Sequence, residues 1–512
     1  MAAFGGIACA LFLLVVPLLL IARRLLLGTR GLGLPHGPLC LPVIGHVHLL
    51  RAPLHHSLAR LADRHGPDLL LRLGSRLLLV ISSPATVEEC LATHNLSFLN
   101  RPLLFSGKHL QYDGTSFVVA PYGPSWRNLR SIATLQLLSS ASLSRLAHIR
   151  AANVRSLLRG LFLHSCSEEC GFVPVSMRPS FTELMLNTLL EMIVGKKCYG
   201  GSAATEGLDE EGKGFASVIK EAFRLSSAAS PEDFLPFLKW IGVNGLEKQL
   251  IRLGKEIDVL LQGMVDERRE GMRTERNDAK KTLVDDMLSL QEEDPQYYTD
   301  NIIKGMISIL IFAGFDTSSV TMEWAMSLLL NHPEALKMVH DEIETHVGHQ
   351  RLVIDSDLPQ LRYLNNVIRE TLRLFPPGPL LVPRESTMDC SAGGFHVPRG
   401  AMLMVNAYKM HRDPALWTDP AEFKPERFES GEGEGYEYVP FGVGRRRCPG
   451  EAMAMKAVGL VLASLVQCFE WKRLGEEEVD LSEGEGLTMP KAIPLEVLCK
   501  PRQAMMDILP LL

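Results

Sequence analysis

Apolar and polar residues are arranged in three ways along the chain, and each way predicts a different kind of element. Ala2–Ala22, "AAFGGIACALFLLVVPLLLIA", is apolar throughout and carries no charge. As a helix rising about 1.5 Å per residue it reaches about 31 Å, close to the ~30 Å hydrocarbon core of a bilayer. Arg23, Arg24 and Arg30 follow at once, and basic residues beside a span stay on the cytosolic side. A cleaved secretory signal needs a basic stretch before its apolar run and a small-residue cleavage site after it. This segment has neither. The pattern predicts a permanent anchor over 2–22 that crosses the membrane once and leaves the rest of the chain cytosolic. Residues 23–46 are basic and rich in Pro and Gly, with prolines at 35, 38 and 42. Proline fixes φ and restricts the residue before it, so a stiff non-helical hinge is expected here. The globular body is expected over 47–512.

The second pattern is strand-like. "LLLRLGSRLLLVISS", Leu69–Ser83, places leucine-rich arms on either side of Gly74-Ser75, a β-hairpin signal. A further strand is expected at Ala401–Asn406. The third pattern has helical period and dominates. "SWRNLRSIATLQLL" starts at Ser125 and puts Trp126 and Arg130 on one helix face. Gly245–Arg269 and Asp300–Asn331 are longer. The chain reads as mainly α with small β-sheets.

Asp300–Asn331 is the most informative segment. Thr299 or Asp300 can cap its start and His332-Pro333 ends it. Its length would be about 48 Å, and its apolar centre predicts burial on nearly all sides. "AGFDTSS", Ala313–Ser319, interrupts that centre. Gly314 costs a helix interior about 1 kcal/mol relative to alanine. Asp316 is an unfavourable lone charge if buried, and Thr317 can bond back to the Ala313 carbonyl. Two readings remain open: a ligand or water touches the helix here, or small residues permit close helix packing.

Composition narrows the field. Hydrophobic residues make up 46% of the chain and charged residues 22%, enough for a large core. The net charge of −6 argues against a nucleic-acid partner. Ten scattered cysteines make no disulfide framework and fit a reduced, cytosol-facing protein. His164, Cys166 and Cys170 lack the second ligand pair of a zinc site.

Two further stretches carry candidate chemistry. Glu370 and Arg373 lie one helical turn apart in "YLNNVIRETLRLFPP", and Arg427 in "FKPERF" could complete a buried network with them. In "PFGVGRRRCPG", Gly442, Gly444 and Gly450 loosen the backbone around Cys448, while Arg446 and its neighbours favour thiolate over thiol. Such a sulfur suits a nucleophile or a metal ligand. No histidine base is close in sequence, and one cysteine cannot hold zinc alone, but it can be the single axial ligand of a haem.

Taken together the motifs resemble the cytochrome P450 haem-thiolate monooxygenases. "FGVGRRRCPG" matches F-x-x-G-x-R-x-C-x-G at Phe441, Gly444, Arg446, Cys448 and Gly450. "AGFDT" is similar to the oxygen-activation motif, "ETLR" to E-x-x-R, "PERF" to the arginine segment that joins it, and "WRNLR" to W-x-x-x-R. The resemblance implies a cytochrome P450 fold with an N-terminal transmembrane anchor, the body 47–512 being the haem-thiolate domain. It implies haem b on Cys448, with Trp126, Arg130, Ala313, Phe441, Arg446 and Gly450 binding the cofactor. Arg384 would join them, although plant relatives often carry histidine there. Asp316 and Thr317 would deliver protons during oxygen activation. Glu370, Arg373 and Arg427 would be structural. Arg445 and Arg447 would face an acidic redox partner: NADPH–cytochrome P450 reductase, with cytochrome b5 as a further donor.

"APYGPSWRNLRSIAT", "DFLPFLKW", "LLVPRES" and "HRDP" are similar to plant A-type microsomal enzymes near the isoflavone 2′-hydroxylases. That likeness implies an endoplasmic reticulum enzyme using O2 to hydroxylate a small apolar aromatic or phenylpropanoid-type metabolite, with herbicides among its relatives' substrates. Phe312, Leu380, Val382 and Thr488 are the expected substrate contacts, beside a loop over Arg101–Pro121. Phe315 stands where a small residue or threonine is usual, and either narrows the pocket or packs away from it. Two other classes compete: a haem-thiolate isomerase or dehydratase that uses no oxygen, and a haem protein that only senses gas or carries electrons.

Overall fold

The computed structural model describes residues 38–166, 171–197, 217–222, 224–225, 231–236, 238, 245–274 and 281–512. The expected anchor over 2–22 lies outside the described residues, and the hinge is described only from Pro38 onward. In chain order the strands are β1 (Leu69–Leu73), β2 (Arg76–Ile81), β3 (Val173–Ser176), β4 (Arg384–Glu385), β5 (Cys390–Ala392), β6 (Phe395–Val397), β7 (Met402–Val405), β8 (Phe469–Arg473) and β9 (Glu496–Pro501). They form sheets of four, three and two strands, ordered β1-β2-β7-β4, β3-β9-β8 and β5-β6.

The chain divides into two compact units. One comprises the residues up to Pro102 together with Pro231–Val243 and Leu380–Met410. It holds the four-stranded sheet. β1 and β2 form the hairpin expected at Leu69–Ser83, with Leu69 opposite Val80 and Leu73 opposite Arg76. β2 then pairs in parallel with β7, the strand expected at Ala401–Asn406. Leu69, Leu71 and Leu73 are buried while Leu70 and Arg72 are not, the period-two signature of a half-buried strand. Their apolar face packs on Leu58 and Leu61 of helix α1 (Leu54–His65).

The other unit comprises Leu103–Ser230, Asn244–Pro379 and His411–Leu512 and is mostly helical. Its helices include α2 (Phe105–Leu110), α3 (Pro124–Ala133), α4 (Ala147–Cys166), α5 (Met177–Ile193), α6 (Gly245–Thr274), α7 (Leu283–Glu293), α8 (Asp300–Asn331), α9 (Pro333–His346), α10 (Arg362–Leu374) and α11 (Glu451–Cys468). α8 spans the expected segment and forms the axis of this unit, buried along most of its length. Thr299 is its N-cap residue by backbone geometry, but its hydroxyl makes no cap bond. Asp300 instead accepts from Arg269, Gln262 and Gln291.

A Cβ added at Gly314 would lie 3.0 and 3.1 Å from the two methyls of Leu189. That glycine therefore sets the approach of α5 to α8, and of the two readings of "AGFDTSS" the packing one accounts for Gly314. Phe315 is 1% exposed and packs into the core rather than narrowing a pocket. α8 and α11 are both long and apolar enough to cross a membrane, yet both are largely enclosed by protein. They are core helices.

Candidate active site around Cys448

Cys448 occupies a tight loop immediately before α11. Gly442 and Gly444 have φ of +65° and +72°, left-handed values that side chains resist. The turn closes with Cys448 N–H donating to the Phe441 carbonyl at 2.9 Å. Gly450 has φ of −87° and caps α11. A Cβ there would sit 3.8 Å from the cysteine sulfur, an ordinary contact, so neither conformation nor crowding demands glycine at this position.

Cys448 has exposed surface, yet protein surrounds it closely enough for burial to raise its thiol pKa. The Gly450 N–H lowers it, Glu451 raises it, and Arg130 and Arg447 lower it. Burial wins. Of Arg446 and its neighbours, which the sequence reading credited with favouring the thiolate, Arg447 does act on the sulfur, and so does Arg130 from α3. They do not overcome burial by themselves. A metal cation deprotonates a coordinated thiol outright.

The three arginines of the loop have three separate roles. Arg446 is buried, with its guanidinium 4.5 Å from the Trp126 ring, donating to the Phe117 and Ala120 carbonyls at 3.2 and 2.6 Å. Arg445 is exposed and donates to the Tyr122 hydroxyl at 3.3 Å. Arg447 makes a bidentate pair with Glu451 at 2.6 and 2.7 Å. Arg130 of α3 lies 5.5 Å from the centre of the same buried Trp126 ring and donates to the Arg447 carbonyl at 2.7 Å. Two guanidinium groups thus share one indole.

These residues fit an iron porphyrin. They offer a single soft donor, Cys448, at the positive end of a helix. Beside it, the half-buried Arg130 has no carboxylate partner among the described residues, which suits the acid group of a propionate.

On α8, Ala313 is exposed in the middle of an otherwise buried helix, and its carbonyl accepts the Thr317 hydroxyl at 2.7 Å. Asp316 accepts the Thr488 hydroxyl at 2.5 Å. Burial raises the Asp316 carboxyl above its ordinary range, against the lowering effect of that bond.

Glu370 and Arg373 of α10 are wholly buried and paired through two bonds of 2.8 Å. Arg427 joins them, its Nε 3.0 Å from Glu370. Arg373 also donates to the carbonyls of His411, Pro420 and Glu422, and Arg427 to that of Thr418. No charge in this network is left without a partner, as burial requires.

Phe312 is buried on α8. Leu380, Val382 and Arg384 belong to the first unit. Leu380 packs on its core cluster, Val382 is exposed, and Arg384 is buried on β4, where burial lowers its guanidinium to about 10. Thr488 is buried with its hydroxyl committed to Asp316. Within the stretch expected as a loop over Arg101–Pro121, α2 forms, followed by a 3-10 turn at Tyr112–Gly114.

The sequence reading missed the partners of this face of α8. Arg178 of α5 holds the buried Glu323 at 2.9 and 3.2 Å. Trp324 Nε1–H donates to the Met489 carbonyl at 2.7 Å. The only signal in the sequence was Glu323 itself, a carboxylate inside an apolar run.

Residues 35–497 match the family model of cytochrome P450. The chain belongs to the cytochrome P450 family. Cytochrome P450 81Q32 of Catharanthus roseus is 47% identical over 492 residues, covering 96% of each chain. An isoflavone 2′-hydroxylase of Medicago truncatula is 41% identical over 482 residues, covering 94% of this chain and 95% of its own. A zebra fish cytochrome P450 solved with progesterone aligns with a TM-score of 0.75 at 25% identity, over 88% of this chain and 100% of that one. Within the family this is a plant A-type, isoflavone-hydroxylase-like member, and it is a haem monooxygenase acting on a small molecule with O2 and a redox partner.

Proposed function

We propose that this enzyme hydroxylates an isoflavonoid- or phenylpropanoid-type aromatic metabolite at a haem held by Cys448. In this reading it sits in the endoplasmic reticulum membrane through residues 2–22 and takes electrons from NADPH–cytochrome P450 reductase, with cytochrome b5 as a second donor. The observation that carries the reading is the setting of Cys448. Among the described residues the groups acting on its sulfur are the Gly450 amide, Glu451, Arg130 and Arg447, with no histidine base among them, which supports reading it as a ligand. Bound haem supplies oxygen activation, which a thiolate ligand favours.

The chain's own residues bind, orient and move protons. Arg130 and Arg446, both close to the Trp126 ring, would hold the propionates. Ala313 leaves room on α8, and Phe312 contributes an apolar wall. Thr317, anchored on the Ala313 carbonyl, presents a hydroxyl, and Asp316 renews its proton. The substrate class rests on the aromatic metabolites named for relatives such as the isoflavone 2′-hydroxylase. Herbicides are proposed as incidental substrates of the same apolar site.

Reduced, carbon monoxide-bound microsomes are expected to show the red-shifted Soret band of thiolate-ligated haem, and Cys448→Ser to abolish it. A band typical of histidine-ligated haem would overturn the assignment. Product analysis with a panel of flavonoids, lignans, indoles and herbicides tests the substrate class. Turnover of none of the aromatic metabolites would overturn it.

A further inference from the structure

Thr488 lies 172 positions from Asp316 in sequence, yet its hydroxyl donates to Asp316 Oδ2 at 2.5 Å. It sits in a turn over 482–492 whose arms are joined by Gly484 N–H to the Pro490 carbonyl at 2.7 Å and Ala492 N–H to the Ser482 carbonyl at 2.9 Å. The turn is moored to helices on several sides. Trp324 donates to the Met489 carbonyl at 2.7 Å while its indole stacks on Phe375 at 3.8 Å. Met489 N–H donates to the Pro377 carbonyl at 3.2 Å. Arg178, paired with Glu323, donates to the Lys491 carbonyl at 2.8 Å, and the Lys491 ammonium lies 4.9 Å from the Trp324 ring. Glu323 and Trp324 are two helical turns beyond Asp316, on the same side of α8. The helix face that displays Asp316 therefore also fixes the turn that supplies its hydrogen bond.

A buried residue needed only for packing at this site could be valine. A hydroxyl held on one carboxylate oxygen by so many anchors restrains that carboxyl's rotamer and its proton.

We propose that Thr488 is a positioning residue for Asp316: its hydroxyl fixes the carboxyl orientation from which proton delivery proceeds, so the 482–492 turn tunes catalysis through that one group. The proposal rests on the reading of Asp316 and Thr317 as the proton-delivery pair. An ionised carboxylate accepts a hydrogen bond more strongly than a neutral carboxyl, so the bond favours ionisation and opposes burial. The other groups acting on Asp316 are Arg178 from α5 and Lys220, which favour ionisation, and Glu323 from α8 itself, which opposes it. With these unchanged, loss of the Thr488 hydroxyl keeps Asp316 protonated to higher pH.

The test uses full-length haem-loaded enzyme and the variants Thr488→Val and Thr488→Ser. Infrared difference spectra of the resting enzyme, with the Asp316 band assigned by Asp316→Asn, read the carboxyl against pH without turnover. Thr488→Val is expected to move the ionisation midpoint up and lower product formed per NADPH about two- to tenfold, the scale of one ordinary hydrogen bond to the neutral, proton-donating carboxyl. KM should stay within about twofold, and the alkaline limb of coupling should move up with the infrared midpoint. Thr488→Ser restores all of these. An unmoved midpoint in Thr488→Val overturns the proposal, as does a raised KM with intact coupling, which would make Thr488 a substrate contact instead. Unchanged coupling in Asp316→Asn overturns the proton-delivery reading itself, and the infrared result separates that failure from the first.

Discussion

Thr317 donates its hydroxyl to a carbonyl on its own helix, a bond within reach of any mid-helix threonine. What sets it apart is the neighbourhood: Ala313 exposed before it and Asp316 beside it on a helix otherwise sealed in protein. Thr317→Ala is expected to leave NADPH consumption within about threefold while product per NADPH falls about tenfold, less than the ~10²- to 10⁴-fold of a lost general acid because Asp316 remains. Hydrogen peroxide released in place of product is the measurement. Arg130→Leu removes a guanidinium that lies beside Trp126 with no carboxylate partner among the described residues. It should lower haem retention, read as the ratio of haem absorbance to protein after gel filtration, while Arg445→Leu at the exposed end of the loop should not. At this scale the sequence was legible where a residue type is demanding: a lone cysteine among glycines, an acid inside an apolar helix. It was not legible for Thr488, because a threonine in a turn carries no sign of a partner 172 positions away.

Among the elements, α8 was readable from its 32-residue length and largely apolar centre, and the β1–β2 hairpin from leucine-rich arms about Gly74-Ser75. α2 was not. "FSGKHL" is too short and too mixed to show a helical period, and it forms against α6, where Gly254 comes so near the His109 carbonyl that a Cβ would stand 2.6 Å from it. Packing decides such a helix. Gly314→Ala pits two effects against each other. Helix propensity favours alanine by about 1 kcal/mol. The new methyl meets both Leu189 methyls at 3.0 and 3.1 Å, in a side chain only 2% exposed. Leu189 must shift within a closely packed core to admit it, so overpacking of about 1–3 kcal/mol is expected to outweigh the gain in propensity, and the variant should unfold at lower temperature. Glu370→Ala is the severer change. It leaves Arg373 buried without its carboxylate and Arg427 with Glu432 as its remaining acidic partner, and stranding a buried charge typically costs about 3–5 kcal/mol. The expected result is little folded protein, scored by the yield of the thiolate-haem band and by limited proteolysis.

The whole chain combines an extremely apolar first segment with a body of ordinary composition. Removing residues 2–22 is expected to shift the protein from the pelleted membrane fraction toward the supernatant, with the carbon monoxide spectrum retained. Full retention in the pellet would show that the body has membrane contacts of its own. The Arg447–Glu451 pair has a separate consequence in solution. Three arginines in a row suggest a strongly positive face, but Arg446 is enclosed by protein and Arg447 is neutralised by its neighbour one helical turn on. Of the three arginines, Arg445 is therefore the one that offers an approaching acidic protein an exposed guanidinium without an acidic partner among the described residues. That protein's association rate should fall only gently as salt is added, and Glu451→Gln should steepen that dependence by unmasking a second charge.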